Sequence, residues 1–207
     1  KNWLELLELA DQAIDGLPFH KHLPIIRECI HMFSYLWKFD QPSPLLQTES
    51  QKLFLKLLSH PSPPVKTETY QRTLNLVKDC LGIHNLPRQE PAACAGVHFL
   101  LHHRVLYEIS TFGLQDSAEK VNTAAKDILL FLLKGRLMMT ASAWDRFNEA
   151  LYPVIPILQG YASTEESLGK CVLLISDMSD VAGDGVPPST AKLKAALRLL
   201  FTKQPNV

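Results

Sequence analysis

Between residues 2 and 14, apolar side chains fall at Trp3, Leu6, Leu7, Ala10 and Ile14, the three- and four-residue spacing of one helix face. A second helical run, IIRECIHMFSYLWK, follows Pro24, which sits in its first turn, where a missing N–H costs little. Ser43-Pro44 then reads as an N-cap followed by proline at the first helical position, opening PLLQTESQKLFLKLL. From Pro64 onward, Tyr70, Leu74, Val77 and Leu81 form another stripe, with Gly82 placed to cap its C-terminus.

Residues 84–91 (HNLPRQEP) are polar and broken by proline, and are read as a connection. The next segments, AACAGVHFLLHH and RVLYEISTF, are short, the second amphipathic. Asp116 or Ser117 can cap the helix SAEKVNTAAKDILLFLLKG, which is expected to end near Gly135. A further helix runs through WDRFNEALYPVIPILQGY, where Pro153 and Pro156 must kink or interrupt it. TEESLGKCVLLISDM, a loop at VAGDGVPPS, and TAKLKAALRLLF complete the series. No run alternates with period two, so the pattern predicts an all-α chain.

The helices also carry a weak repeat. Val65 opens a helix after a Pro-bearing turn and is followed by Thr67 and Thr69; Val121 is followed by Thr123-Ala124-Ala125, and Leu168 by Gly169 and Cys171. The C-terminal LLFTKQPNV matches the earlier LLSHPSPPV at its two leucines, a proline and the valine, so Val207 is expected to open a further unit. Separations of 56, 47 and 39 residues average about 47, near the period of HEAT and armadillo units. Small residues after each opening let helices approach closely. The expected architecture is therefore a single armadillo/HEAT-like α-solenoid over 1–207, with repeat helices starting near 65, 121 and 168; an irregular helical bundle is the competing arrangement. The Lys1 start and the finish inside a turn motif mark the chain as an expected piece of something longer.

Composition changes this picture little. With 46% hydrophobic and 20% charged residues the chain has the balance of a globular protein. Twenty-one basic and 21 acidic residues cancel, which removes the bulk electrostatic case for nucleic acid or an anionic membrane as partner. No apolar run reaches the ~18 residues of a bilayer span, and residues 1–10 lack signal-peptide character. The four cysteines lie among apolar neighbours without CxxC spacing, which predicts reduced, buried thiols of an intracellular protein.

Candidate chemistry is sparse. Cys94, His98 and His102 stand at i, i+4, i+8, one face of a helix, and thiolate with imidazole is a zinc ligand set. Leu101 and Val105 share that face and no fourth ligand is evident, so buried core residues are the commoner use of such a pattern. His20-x-His22, with Cys29 seven residues on, is a weaker set. Ser59-His60, Ser110 and the Cys80/His84 pair lack a nucleophile context, and Asp184 in GDG has no preceding strand. Glu165-Glu166 suit a helix N-terminus, and Glu5/Glu8 and Asp177/Asp180 are scattered. Lys192, Lys194, Arg198 and Lys203 make the last helix the most basic surface, open to an acidic partner or simply to solvent. The residues therefore point to no enzyme, no cofactor and no small-molecule substrate.

The runs TAAKDILLFLLKGRLMM (123–139) and YPVIPILQGY (152–161) resemble the rotatin family, large armadillo-like proteins of centrioles and ciliary basal bodies related to the anastral-spindle proteins of insects. The likeness extends to NWLELLELADQA, ESQKLFLKLLSHPSPPVKTETY, KDCLGIHN and VHFLLHHRVLYEISTFGLQ, and so covers most of the chain. The resemblance implies a non-enzymatic scaffold, located at centrosome, centriole and basal body, that builds and elongates centrioles and forms cilia, hence left–right patterning. It implies centriole-assembly partners, among them the STIL family, and no catalytic residue to carry over. Two rivals stand beside that reading: a spacer supplying only length and rigidity, and a small helical metal-binding protein or enzyme using Cys94, His98 and His102.

Overall fold

The computed structural model describes residues 2–39, 42–81, 91–134, 141–154 and 156–157. Helix α1 spans Trp3–Gly16 and is capped by Asn2, whose side-chain oxygen accepts the Glu5 N–H at 3.2 Å. Leu7 and Ile14 are buried, with Trp3 and Ala10 packed against the core. Leu6 departs from the expected stripe and is 41% exposed. Neighbouring residues on a helix lie about 100° apart, so one narrow face cannot take both Leu6 and Leu7.

Helix α2 (Leu23–Phe39) carries Pro24 at its second position, as the sequence indicates. Its buried residues Ile26, Cys29, Ile30, Phe33, Leu36 and Trp37 recur at three- and four-residue intervals. Helix α3 (Pro44–Leu58) begins as expected, with the Ser43 hydroxyl accepting the Leu46 N–H and Pro44 in the first turn. Helix α4 (Pro63–Leu81) buries Val65, Thr69, Tyr70, Thr73, Val77 and Leu81. Two of these are threonines, and each threonine hydroxyl is satisfied one turn back: Thr69 donates to the Val65 carbonyl at 2.9 Å, and Thr73 to that of Thr69 at 2.7 Å. The proposed Gly82 cap lies outside the described residues, as do the connection at 84–90 and everything from 158 onward, including Leu168 and the basic last helix.

Residues Pro91–Leu100 wind as a 3-10 helix, and a short α5 (His103–Glu108) passes directly into a π turn at Ile109–Gly113. Helix α6 (Glu119–Lys134) follows an Asp116 side chain that accepts the Ala118 N–H at 2.8 Å, which supports the expectation that Asp116 helps start this helix. Asp116 also meets Lys66 Nζ at 2.6 Å, tying the start of α6 to the start of α4. Helix α7 (Ala141–Leu151) gives way to a 3-10 turn at Tyr152–Val154, where Pro153 removes a backbone donor. No strand occurs among the described residues.

Helices pack on their neighbours in sequence, α1 on α2, α2 on α3 and α3 on α4, and on the helix two further along. The odd-numbered ones meet as α1 on α3, α3 on α5 and α5 on α7, while α2 contacts α4 and α4 contacts α6. The 3-10 helix lies against α2 and α4. Val65 and Val121 are each the third residue of α4 and α6, both are buried, and those two helices pack on one another. Ala124 and Ala125 on α6 are buried, and their small side chains permit the close approach. Phe33, Phe54 and Phe99 join α2, α3 and the 3-10 helix in an aromatic cluster, with ring centroids 5.1–5.7 Å apart.

Candidate functional site

The Cys94, His98, His102 face depends on an α-helix, and the chain does not form one there. Cys94 and His98 lie in the 3-10 helix rather than in an α-helix. His102 lies beyond its end with extended backbone, and its Nδ1 accepts the Arg104 N–H at 3.2 Å as the N-cap of α5. His98 is buried and its Nδ1 faces Arg146 Nη2 at 3.3 Å. Burial, then the Arg146 charge, pushes the His98 imidazole down to about 4. Its Nε2 has no hydrogen-bond partner among the described residues. No group of three or more His, Cys, Asp or Glu side chains suited to a metal occurs among the described residues.

The other candidates also disperse. Ser59 hydrogen-bonds to the Leu55 carbonyl at the end of α3, and Ser110 is buried in the π turn with no partner for its hydroxyl among the described residues. Cys29 is a buried free thiol, pushed up to about 12 by burial and then by Glu28, which makes it a poor nucleophile. Cys80 is half-buried, while His84, Cys171 and Asp184 lie outside the described residues.

One arrangement has no counterpart in the sequence reading. His22, before α2, and His60, between α3 and α4, are both buried and meet with Nδ1 of His22 2.8 Å from Nε2 of His60. The Ser62 N–H donates to His60 Nδ1 at 3.0 Å, so His60 carries its proton on Nε2 and donates to His22. His22 must then carry its own on Nε2, which lies 2.7 Å from the Leu17 carbonyl. The chain of bonds thus runs one way and holds both rings neutral. Phe19 closes it edge-on, 5.5 Å from His22 and 5.0 Å from His60. Burial, followed by the facing His22, lowers the His60 pKa. Lys56 reinforces the same junction by bonding Asp11 at 2.7 Å and Asp15 at 3.0 Å. The two helix-joining turns are therefore clasped together. Sequence offered His20-x-His22 and Ser59-His60 as separate motifs; only the fold shows that the partner of one is in the other.

Between α3 and α5 lies an open groove of about 870 Å³. Lys52 and Lys56 line one wall; His103, Arg104, Tyr107 and Phe112 line the other. Tyr107 and Phe112 are 48% and 54% exposed, and their rings stand edge to face at 6.5 Å. Glu108 supplies the carboxylate of the lining. No helix among the described residues is long and apolar enough to cross a membrane.

No family model matches this chain, and no solved structure does. Rotatin of Mus musculus is 58% identical to it over 207 residues, the whole of the chain. Rotatin of Homo sapiens is 56% identical over the same span. The chain is a homologue of a rotatin segment. It spans about 9% of the length of these curated relatives. The match to rotatin takes in every element from α1 to α7, the clasped turns and the α3–α5 groove, together with the residues beyond 157.

Proposed function

We propose that this chain is a non-enzymatic, stacked-helix scaffold segment that acts in centriole assembly and elongation and in cilium formation, at centrosome and basal body. Identity of 56–58% to a segment of rotatin over the whole of this chain is the observation that carries this reading. Contacts between helices two apart in sequence, α1 with α3, α2 with α4, α3 with α5 and α4 with α6, support an armadillo/HEAT-like stack, because α1–α2 and α3–α4 present faces that neighbouring helices cover. Val65 and Val121 opening adjacent helices is in keeping with that stack. On this reading its partners are centriole-assembly proteins, with the STIL family first among them. The α3–α5 groove favours a binding segment over a spacer, since a spacer needs no basic, aromatic-lined cleft.

The test is a rescue experiment in ciliated cells depleted of rotatin. Full-length rotatin should restore centriole length and cilium number, whereas rotatin lacking the stretch aligned with this chain should not. Full rescue by the deleted protein would remove the proposal.

A further inference from the structure

The geometry points to the groove between α3 and α5 as the docking surface for an acidic linear segment of a partner protein, anchored by one phenylalanine or leucine. The inference deepens the scaffold reading above, and rests on it for its cellular setting alone. Three features carry it. First, the walls set Lys52, Lys56 and Arg104 against the single carboxylate of Glu108, in a chain whose net charge is zero. Lys56 already pairs with Asp11 and Asp15, but Lys52 and Arg104 form no ion pair among the described residues. Second, Tyr107 and Phe112 expose their rings inside this basic frame, one turn of helix apart, offering a seat for one apolar side chain. Third, His102 and His103 stack at 4.4 Å beside Arg104, adding donors that face a carboxylate-bearing ligand.

The local potential agrees. His102 is lowered by burial first and then by its neighbours His103 and Arg104, in keeping with the placement of Arg104 on this wall. Burial raises the Glu108 carboxyl, opposed in part by the charge of Lys66. An extended or helical segment laid along the groove would set carboxylates against Lys52 and Arg104 while its apolar residue enters between Tyr107 and Phe112. Steering by charge would make association fast and salt-sensitive.

The test uses the 207-residue chain and a fluorescein-labelled probe, a twelve-residue peptide of Glu and Asp with one central Phe. Anisotropy should show saturable binding with Kd of roughly 1–100 μM in low salt. Lys52→Glu with Arg104→Glu should weaken it at least ~10-fold, a change of about 1.4 kcal/mol, while Lys78→Glu on α4 leaves it unchanged. The milder Lys52→Gln/Arg104→Gln pair serves if charge reversal disturbs folding, as read by far-UV circular dichroism. Replacing the central Phe by Ser should also weaken binding, by several-fold. Absence of saturation at ~1 mM, equal binding of a Lys-based peptide, or indifference to both groove variants would overturn the proposal. So would a groove filled by a second copy of the chain, seen as a concentration-dependent dimer in sedimentation that the same variants abolish. Binding to vesicles containing anionic lipid but not to the peptide would overturn it likewise. Loss of peptide binding with intact dependence of rescue on the segment defeats this inference alone; the converse result defeats the scaffold reading alone.

Discussion

The clasped turns around His22 and His60 and the 91–113 segment around His98 both bury histidine, yet they solve that problem in opposite ways. In the clasp every ring nitrogen has a partner, and the bonds run in one direction from the Ser62 N–H to the Leu17 carbonyl. Around His98, one nitrogen faces the Arg146 guanidinium and the other has no hydrogen-bond partner among the described residues. The first arrangement links two helix pairs with polar specificity. The second is held chiefly by packing, through Val97, Phe99 and Leu100 against α2 and α4, and leaves one nitrogen of its buried histidine without a partner among the described residues. The same residue type thus serves as a connector in one place and as a core filler in another.

The largest effect is expected from the packed region. Phe99→Ala removes one ring of a three-ring cluster and should cost about 3–5 kcal/mol, read as a fall in urea midpoint with unchanged slope. A loss below ~1 kcal/mol would mean that the 91–100 segment does not anchor this core.

Acid should come next, and it acts on both regions. His98 and His60 are lowered in the folded chain, so the unfolded chain binds more protons and stability rises with pH. Their contribution is complete above the ordinary histidine value of ~6.5 and fades as pH falls below it. For His98 the fade ends near 4, and the shift corresponds to roughly 3 kcal/mol at most. His98→Leu should flatten the stability profile between those limits; an unchanged slope would show that this ring does not govern the acid response.

Breaking the clasp should be costly but smaller. His60→Ala leaves His22 Nδ1 buried without its donor, at about 1–3 kcal/mol by thermal melts. His22→Ala combined with it should be clearly less than additive, because both changes remove one bond. Full additivity would dissolve the pair.

Gly113 offers a sharper comparison at similar or smaller size. A Cβ there would lie 2.7 Å from the Tyr70 hydroxyl and 3.0 Å from Ala125 Cβ, so Gly113→Ala should cost about 1–3 kcal/mol. The Tyr70 hydroxyl is buried with no hydrogen-bond partner among the described residues, so Tyr70→Phe should be neutral or stabilising and should relieve part of the Gly113→Ala penalty. A double mutant no better than Gly113→Ala alone would place the strain elsewhere. The smallest change is Lys56→Ala at the edge of the clasp, expected below ~1 kcal/mol because the pair with Asp11 and Asp15 is partly exposed.

Local features were legible in the sequence. The Ser43-Pro44 start of α3, Pro24 in the first turn of α2, the stripe from Tyr70 to Leu81 and the break at Pro153 all follow from side chains acting on their own backbone. Residues 91–113 were not legible. Apolar residues spaced for an α-helix also suit a short 3-10 helix, and this one packs so closely on α2 that a Cβ at Gly96 would lie 2.6 Å from the Ser34 hydroxyl. That winding removes the α-helical register on which a Cys94, His98, His102 face depends. It also accounts for part of the long interval between Val65 and Val121, since an additional helical segment lies between α4 and α5.

Sequence alone determined that this chain is helical, where most described helices begin, and that it resembles rotatin, because capping, periodicity and identity are properties of neighbouring residues. Tertiary structure alone decided which histidines meet, which leucine of the Leu6-Leu7 pair is buried, and that basic and aromatic side chains from α3 and α5 share one groove. His22 and His60 are 38 residues apart, and no local rule can pair them. They meet because the hydrophobic faces of two helix pairs seek burial against each other, and that contact brings their connecting turns together.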